Sequence, residues 1–232
     1  MPSGTEKPGR RTIVAKTSEE DVALAAERLH GVYGSAGQDE LMARYAEWAK
    51  SYDRDVMVLG YQLPPVVAGL FARHVPLGAG PILDVGCGTG LIGLALQALG
   101  YDRVTGADLS EAMLAVAAGR GCYEATVRAE LGKRLDFPDG GFFALVASGV
   151  FTQGHAPASA FAELARITAS GGRVVLTDRA DGDHAAAYRA AADALVAEGT
   201  WRLIDRSRPY VVFPLSEADA GVLGRVWVYE RS

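Results

Sequence analysis

From residue 81 onward the chain alternates short apolar runs with segments of helical length. Apolar runs near 81–86, 103–107, 125–129, 142–147 and 173–177 predict strands, and the stretches near 90–99, 110–119, 158–168 and 183–198 predict helices. Alternation of this kind implies a parallel sheet with helices on both faces. The end of the chain changes character. "TWRLIDRSRPYVVF" and "GVLGRVWVYERS" are rich in aromatic and branched residues with no helix between them, which predicts an antiparallel pair at the sheet edge. The expected fold class is therefore α/β, a seven-stranded, mostly parallel sheet with an antiparallel C-terminal pair.

The segment before the sheet reads differently. Residues 1–17 mix Gly, Pro, Lys and Arg without periodicity and predict a flexible arm. Residues 18–76 predict a helical prelude: Ser18 followed by Glu19, Glu20 and Asp21 is a helix start, and "DELMARYAEWAKSYD" places Leu41, Tyr45, Trp48 and Tyr52 on one helical face. Pro64 and Pro65 punctuate the region, a further helix is expected from about Val66 to His74, and the sheet domain takes residues 77–232.

Composition narrows the classes. A chain of 232 residues that is 49% hydrophobic buries a sizeable core. No apolar run approaches the ~20 residues of a membrane span, and the N-terminus lacks the apolar centre of a signal peptide, so a cytoplasmic protein without a membrane partner is expected. The formal charge of −5 disfavours nucleic acid. Cys87 and Cys122 show neither metal-ligand nor disulfide spacing, so no metal is expected and both thiols should be reduced.

The chemistry concentrates in "ILDVGCGTGLIGLAL", residues 82–96, where Asp84 sits inside an apparently buried strand ahead of Gly86, Gly88 and Gly90. A glycine-rich first turn in an open α/β sheet lets backbone amides approach a ligand at a helix N-terminus. "GTGLIG" at 88–93 matches the dinucleotide pattern. A carboxylate just upstream would repel a pyrophosphate, whereas it suits a ligand bearing an ammonium and a sulfonium, as S-adenosylmethionine does. The chain also has no Tyr-x-x-x-Lys pair for hydride chemistry. Asp108 follows Gly90 by about 18 residues at a strand end, where a carboxylate can accept both ribose hydroxyls.

"ILDVGCGTG" followed by "VTGADLSEAML" resembles the class I S-adenosylmethionine-dependent methyltransferases, which implies a Rossmann-like sheet and that cofactor. By the resemblance, Asp84, Gly86, Cys87 and Gly88 form the first cofactor loop, with Asp84 orienting the methionyl ammonium through water. Asp108 would hold the ribose, Leu109 and Met113 would pack near the adenine, and Glu130 with the Leu131 amide would bind the adenine edge. The family more often has Asp at the position of Glu130, and Phe143 stands where relatives commonly carry a carboxylate. Ser148 and Gly149 end the fourth strand, and by the resemblance their backbone would face the methionyl group. "YAEWAKSYDRD", "GYQLPPVVAGL" and "SGVFTQGH" are similar to small-molecule and Williams-Beuren-type methyltransferases, which implies a helical lid whose Tyr45, Trp48 or Tyr52 covers the cofactor and touches the sulfonium by cation–π attraction.

The implied activity is in-line methyl transfer to a small-molecule acceptor, for which positioning does much of the work. His155 is the candidate base, with a loop histidine capping the helix near Ala158 as its alternative; Tyr45 and Tyr52 complete the candidate catalytic set. His30, His74 and His184 are expected to be structural. Asp178, Arg179 and Asp181 after the fifth strand, and Arg208 with Tyr210, could hold a carboxylate-bearing acceptor. Other cofactor chemistry such as cyclisation, and a non-catalytic cofactor-binding role, stay open, as does a monomer or a homodimer.

Overall fold

The computed structural model describes residues 17–152, 154–180 and 184–232. The expected N-terminal arm, apart from Thr17, and Asp181 lie outside the described residues.

Four helices precede the sheet: α1 (Glu19–Tyr33), α2 (Gln38–Trp48), α3 (Tyr52–Val58) and α4 (Leu63–His74). Then follow β1 (Ile82–Val85), α5 (Leu91–Ala98), β2 (Val104–Asp108), α6 (Glu111–Ala118), β3 (Ala125–Arg128), β4 (Phe142–Phe151), α7 (Ala160–Ile167), β5 (Thr168–Arg179), α8 (His184–Ala197), β6 (Trp201–Arg206), β7 (Tyr210–Val211) and β8 (Leu223–Arg231). The main sheet path runs β3-β2-β1-β4-β5-β8-β6, seven strands, with the two-residue β7 paired to β8. Strands β3 to β5 are parallel; β8 lies between β5 and β6 and runs antiparallel to both. The aromatic C-terminal pair, β6 with β8, thus forms as expected, with the last strand of the chain inserted between β5 and β6.

Both faces of the sheet are buried, because successive strand side chains point to opposite sides. Leu83, Val85, Leu145 and Ala147 pack with Phe161 and Leu164 of α7 and Tyr188 of α8. Ile82, Ala144 and Val146 pack with Val67 and Phe71 of α4 and Ile92 and Leu96 of α5. The strands β4 and β5 extend beyond the apolar runs that predict them. Their register slips between Phe142↔Thr168 and Ala144↔Arg173, so the polar, glycine-containing stretch 169–172 is absorbed as an irregular part of β5.

The prelude corrects two expectations. Ser18 forms a capping box with Asp21, as its sequence predicts. The single amphipathic helix across Tyr45–Tyr52 is instead broken after Trp48, because the buried Asp55 carboxylate gathers the Trp48 indole at 2.8 Å, the Ser51 hydroxyl at 3.0 Å and Arg28 of α1 at 2.6 Å. Those three bonds fold α3 back against α1. Pro64 and Pro65 lie in the first turn of α4, where a missing N–H costs nothing, so that helix starts at Leu63. No single helix among the described residues is long and apolar enough to cross a membrane.

Candidate active site

The glycine turn after β1 is shaped by its backbone. Gly86 and Gly88 adopt φ of 68° and 54°, a region costly for other residues. A Cβ at Gly86 would meet Val150 Cγ2 at 2.3 Å, so β4 passes directly over the turn. A Cβ at Gly88 would meet nothing within 4 Å, because Gly88 lines a cavity of about 450 Å³. That volume lies in the range of small-molecule sites. The cavity opens at the carboxyl ends of β1, β2 and β4, where the fold class places its ligand.

Asp108, at the end of β2, borders the cavity and accepts hydrogen bonds from the Gly88 and Ser110 amides, both at 2.8 Å. Burial raises its pKa, against the pull of those amides. Leu109 and Met113 line the same wall. Farther along, Glu130 and Leu131 line the rim, and Glu130 pairs with Lys133 at 2.8 Å. Ser148, also in the lining, has a buried hydroxyl with no hydrogen-bond partner among the described residues. A buried hydroxyl left in that state is costly and marks a position where a polar ligand atom fits.

The prelude supplies the opposite wall through Gln38, Leu41, Tyr45, Tyr52 and Tyr61. Trp48 does not line this cavity, because its indole is turned to Asp55. Burial raises the pKa of the Tyr45, Tyr52 and Tyr61 phenols, with the nearby Tyr33 adding to the effect in each case, so all three stay protonated. The Tyr45 hydroxyl and His155 Nε2 share a hydrogen bond at 2.7 Å, which joins α2 to the loop after β4. His155 lines the cavity, while the cap position of α7 belongs to Ser159, so the alternative role of a capping histidine does not describe it.

Asp84 and Cys87 do not border the cavity. Asp84 is 1% exposed, and one oxygen accepts the Tyr123 hydroxyl at 2.6 Å while Oδ1 has no partner among the described residues. Burial pushes its pKa up to about 7, with the Tyr123 bond working against that shift and Asp108 adding to it. The strand carboxylate therefore lies beneath the turn, joined to Tyr123 through one oxygen. Cys87 packs with Leu114, Ala117 and Tyr123, and burial raises its thiol pKa far above the reactive range.

Tyr123 and a second set of residues escape the sequence patterns. Thr89 Oγ1 donates to Asp53 of α3 at 2.5 Å, and the Arg120 guanidinium bonds both Asp53 and the Thr89 carbonyl. His30 and His74 pair with Asp219 and Asp205 at 2.8 and 2.7 Å, which fits their expected structural roles. His184 opens α8. Arg208 is exposed, and Tyr210 packs between the prelude and the sheet; neither borders the cavity.

Residues 83–176 match the methyltransferase domain family. Over 183 residues the chain is 33% identical to methyltransferase-like protein 27 of Homo sapiens, covering 75% of this chain and 73% of that protein. A TehB-like SAM-dependent methyltransferase from Corynebacterium glutamicum matches with a TM-score of 0.59 at 25% identity, over 82% of this chain and 99% of the other. Geranyl diphosphate methyltransferase, in a structure with SAM, matches with a TM-score of 0.57 at 16% identity over 88% and 95% of the two chains, a likeness of fold.

Proposed function

Because the chain belongs to the class I S-adenosylmethionine-dependent methyltransferases, we propose that it methylates a small-molecule acceptor held beneath the helical prelude. The observation that carries this reading is the wall made by Tyr45, Tyr52 and Tyr61: the prelude, residues 18–76, roofs the cavity as a lid, and a roofed cavity suits a small acceptor.

When bound, S-adenosylmethionine supplies a methyl group on a positively charged sulfur. In this reading Asp108 holds the ribose hydroxyls, Leu109 and Met113 flank the adenine, and Glu130 with the Leu131 amide meets its edge. Gly86 and Gly88 admit the backbone-facing part of the ligand, and the unpaired Ser148 hydroxyl gains a partner on the methionyl side. Asp84 acts from below, holding Tyr123 and the turn in place rather than touching the ligand. His155 receives a proton from acceptors that need deprotonation, with Tyr45 fixing its ring. Tyr52 and Tyr61 exclude water and offer aromatic faces to positive charge. A reducing, cytoplasmic setting fits the two buried free thiols.

Mass spectrometry of the protein incubated with S-adenosylmethionine and a metabolite extract tests the proposal. S-adenosylhomocysteine together with a singly methylated metabolite is the expected result. Methylthioadenosine above the uncatalysed level, or cofactor binding with neither product, would overturn it.

A further inference from the structure

The main cavity leaves some buried polar atoms at the carboxyl edge unexplained. A second chamber of about 50 Å³ lies between the prelude and the ends of β4 and β5. Tyr45, Tyr52 and Tyr61 line both spaces, so they form the partition between them. Beyond the partition Tyr33, Trp48 and Phe213 add further aromatic wall, and Thr152 and Asp178 line the strand side.

Thr152 and Asp178 are 4% and 6% exposed, yet Thr152 Oγ1 and Asp178 Oδ1 have no hydrogen-bond partner among the described residues. A buried polar atom left unpaired costs ~1–3 kcal/mol, more when it is charged. The Asp178 carboxyl has help elsewhere: Trp227, Arg189 and Arg225 favour its charged form. Burial outweighs these and raises its pKa. The Arg179 guanidinium, which also borders the chamber, lies 5.7 Å from the centre of the Tyr33 ring.

We propose that this chamber is the acceptor subsite and that the acceptor presents an amine, whose N–H groups donate to Asp178 Oδ1 and Thr152 Oγ1. The inference rests on the methyltransferase reading above. An amine brings both the donors that the two orphaned oxygens lack and a positive character that aromatic faces attract. An alcohol brings no countercharge to Asp178, and an acceptor carboxylate would set a second anion against Asp178, which Arg179 on the same wall would have to offset. The chamber holds one or two groups the size of water, at roughly 30 Å³ each. It therefore takes the amine head, while the remainder of the acceptor reaches toward the tyrosine partition.

The test uses the full chain saturated with S-adenosylhomocysteine, whose own binding is measured first by calorimetry. n-Butylamine, butyrate and n-butanol are then titrated and followed by ¹H–¹⁵N NMR. The expected result is saturable binding of n-butylamine alone, weakened ~10-fold in Asp178→Asn. S-adenosylhomocysteine affinity in that variant should stay within about twofold. Thr152→Val, which breaks no side-chain hydroxyl bond among the described residues, should weaken the amine about threefold and serves if Asp178→Asn does not fold. Preference for butyrate or n-butanol, no saturable response to any probe, or undiminished amine binding in the folded variants would overturn the proposal. Failure of the parent protein to bind S-adenosylhomocysteine would instead overturn the underlying reading.

Discussion

Thr89 Oγ1 donates a hydrogen bond to Asp53 Oδ1 at 2.5 Å, so the glycine turn of the sheet is tied directly to α3 of the prelude. Arg120, just after α6, bonds the same carboxylate and the Thr89 carbonyl, which makes a three-way joint. Asp53→Ala removes two charge-assisted or polar bonds from a turn whose amides face the ligand. It should weaken S-adenosylhomocysteine binding ~10-fold by calorimetry. Equal affinity in parent and variant would uncouple the turn from the prelude.

The glycines of that turn should fail in different ways. Gly86→Ala drives a methyl into Val150 and should lower the melting temperature markedly, since overpacking and a positive φ together cost ~2–4 kcal/mol. Gly88→Ala has open space before it and should keep most of its stability, yet lose cofactor affinity by ~10-fold because the methyl occupies the cavity. Thermal unfolding and calorimetry on both variants check the contrast.

Asp108→Ala loses the carboxylate that orders the Gly88 and Ser110 amides and borders the cavity. Binding of S-adenosylhomocysteine should fall by ~100-fold or more. A variant that binds as tightly as the parent would move the cofactor away from β2.

Asp84 gives a pH signature. Its pKa rises from 3.8 when exposed to about 7 in the fold, so between those values the folded state binds more protons than the unfolded one. Its contribution is fully present below pH ~4 and is lost as pH climbs through 7. Asp84→Asn should remove that downward slope, a difference on the order of a few kcal/mol across the window, read from denaturant midpoints at several pH values. Parallel profiles for the two proteins would show that Asp84 does not titrate there.

The 2.7 Å contact of Tyr45 with His155 predicts non-additive losses. Tyr45→Phe and His155→Gln should each reduce kcat by ~10–100-fold with little change in cofactor affinity, and the double variant should lose no more than the worse single one. Additive losses would mean that the two side chains act separately.

Much of the sheet is legible in the sequence because apolar runs and the glycine turn are local signals. The Ser18 cap and the order from β1 through β2 depend on neighbours only a few residues away. The joint of Asp53, Thr89 and Arg120 is not legible, since 36 and 67 residues separate its partners and no spacing rule links them. Asp55 likewise breaks a helix whose own pattern runs on, by recruiting Arg28 from 27 residues upstream. The sense in which Asp84 serves the turn also depends on a distant residue: Tyr123 arrives from the segment before β3 and takes one carboxylate oxygen. Cys87 illustrates the converse, a side chain within the expected loop whose backbone geometry turns it toward α6.

Helix α2 lies along the roof of the cavity, with Gln38 and Tyr45 in its lining, and is fastened through Tyr45 to His155 on the loop after β4. Lifting the roof at this helix parts Tyr45 from His155, so an opening of the cavity on the α2 side also releases the candidate base from the side chain that orients it.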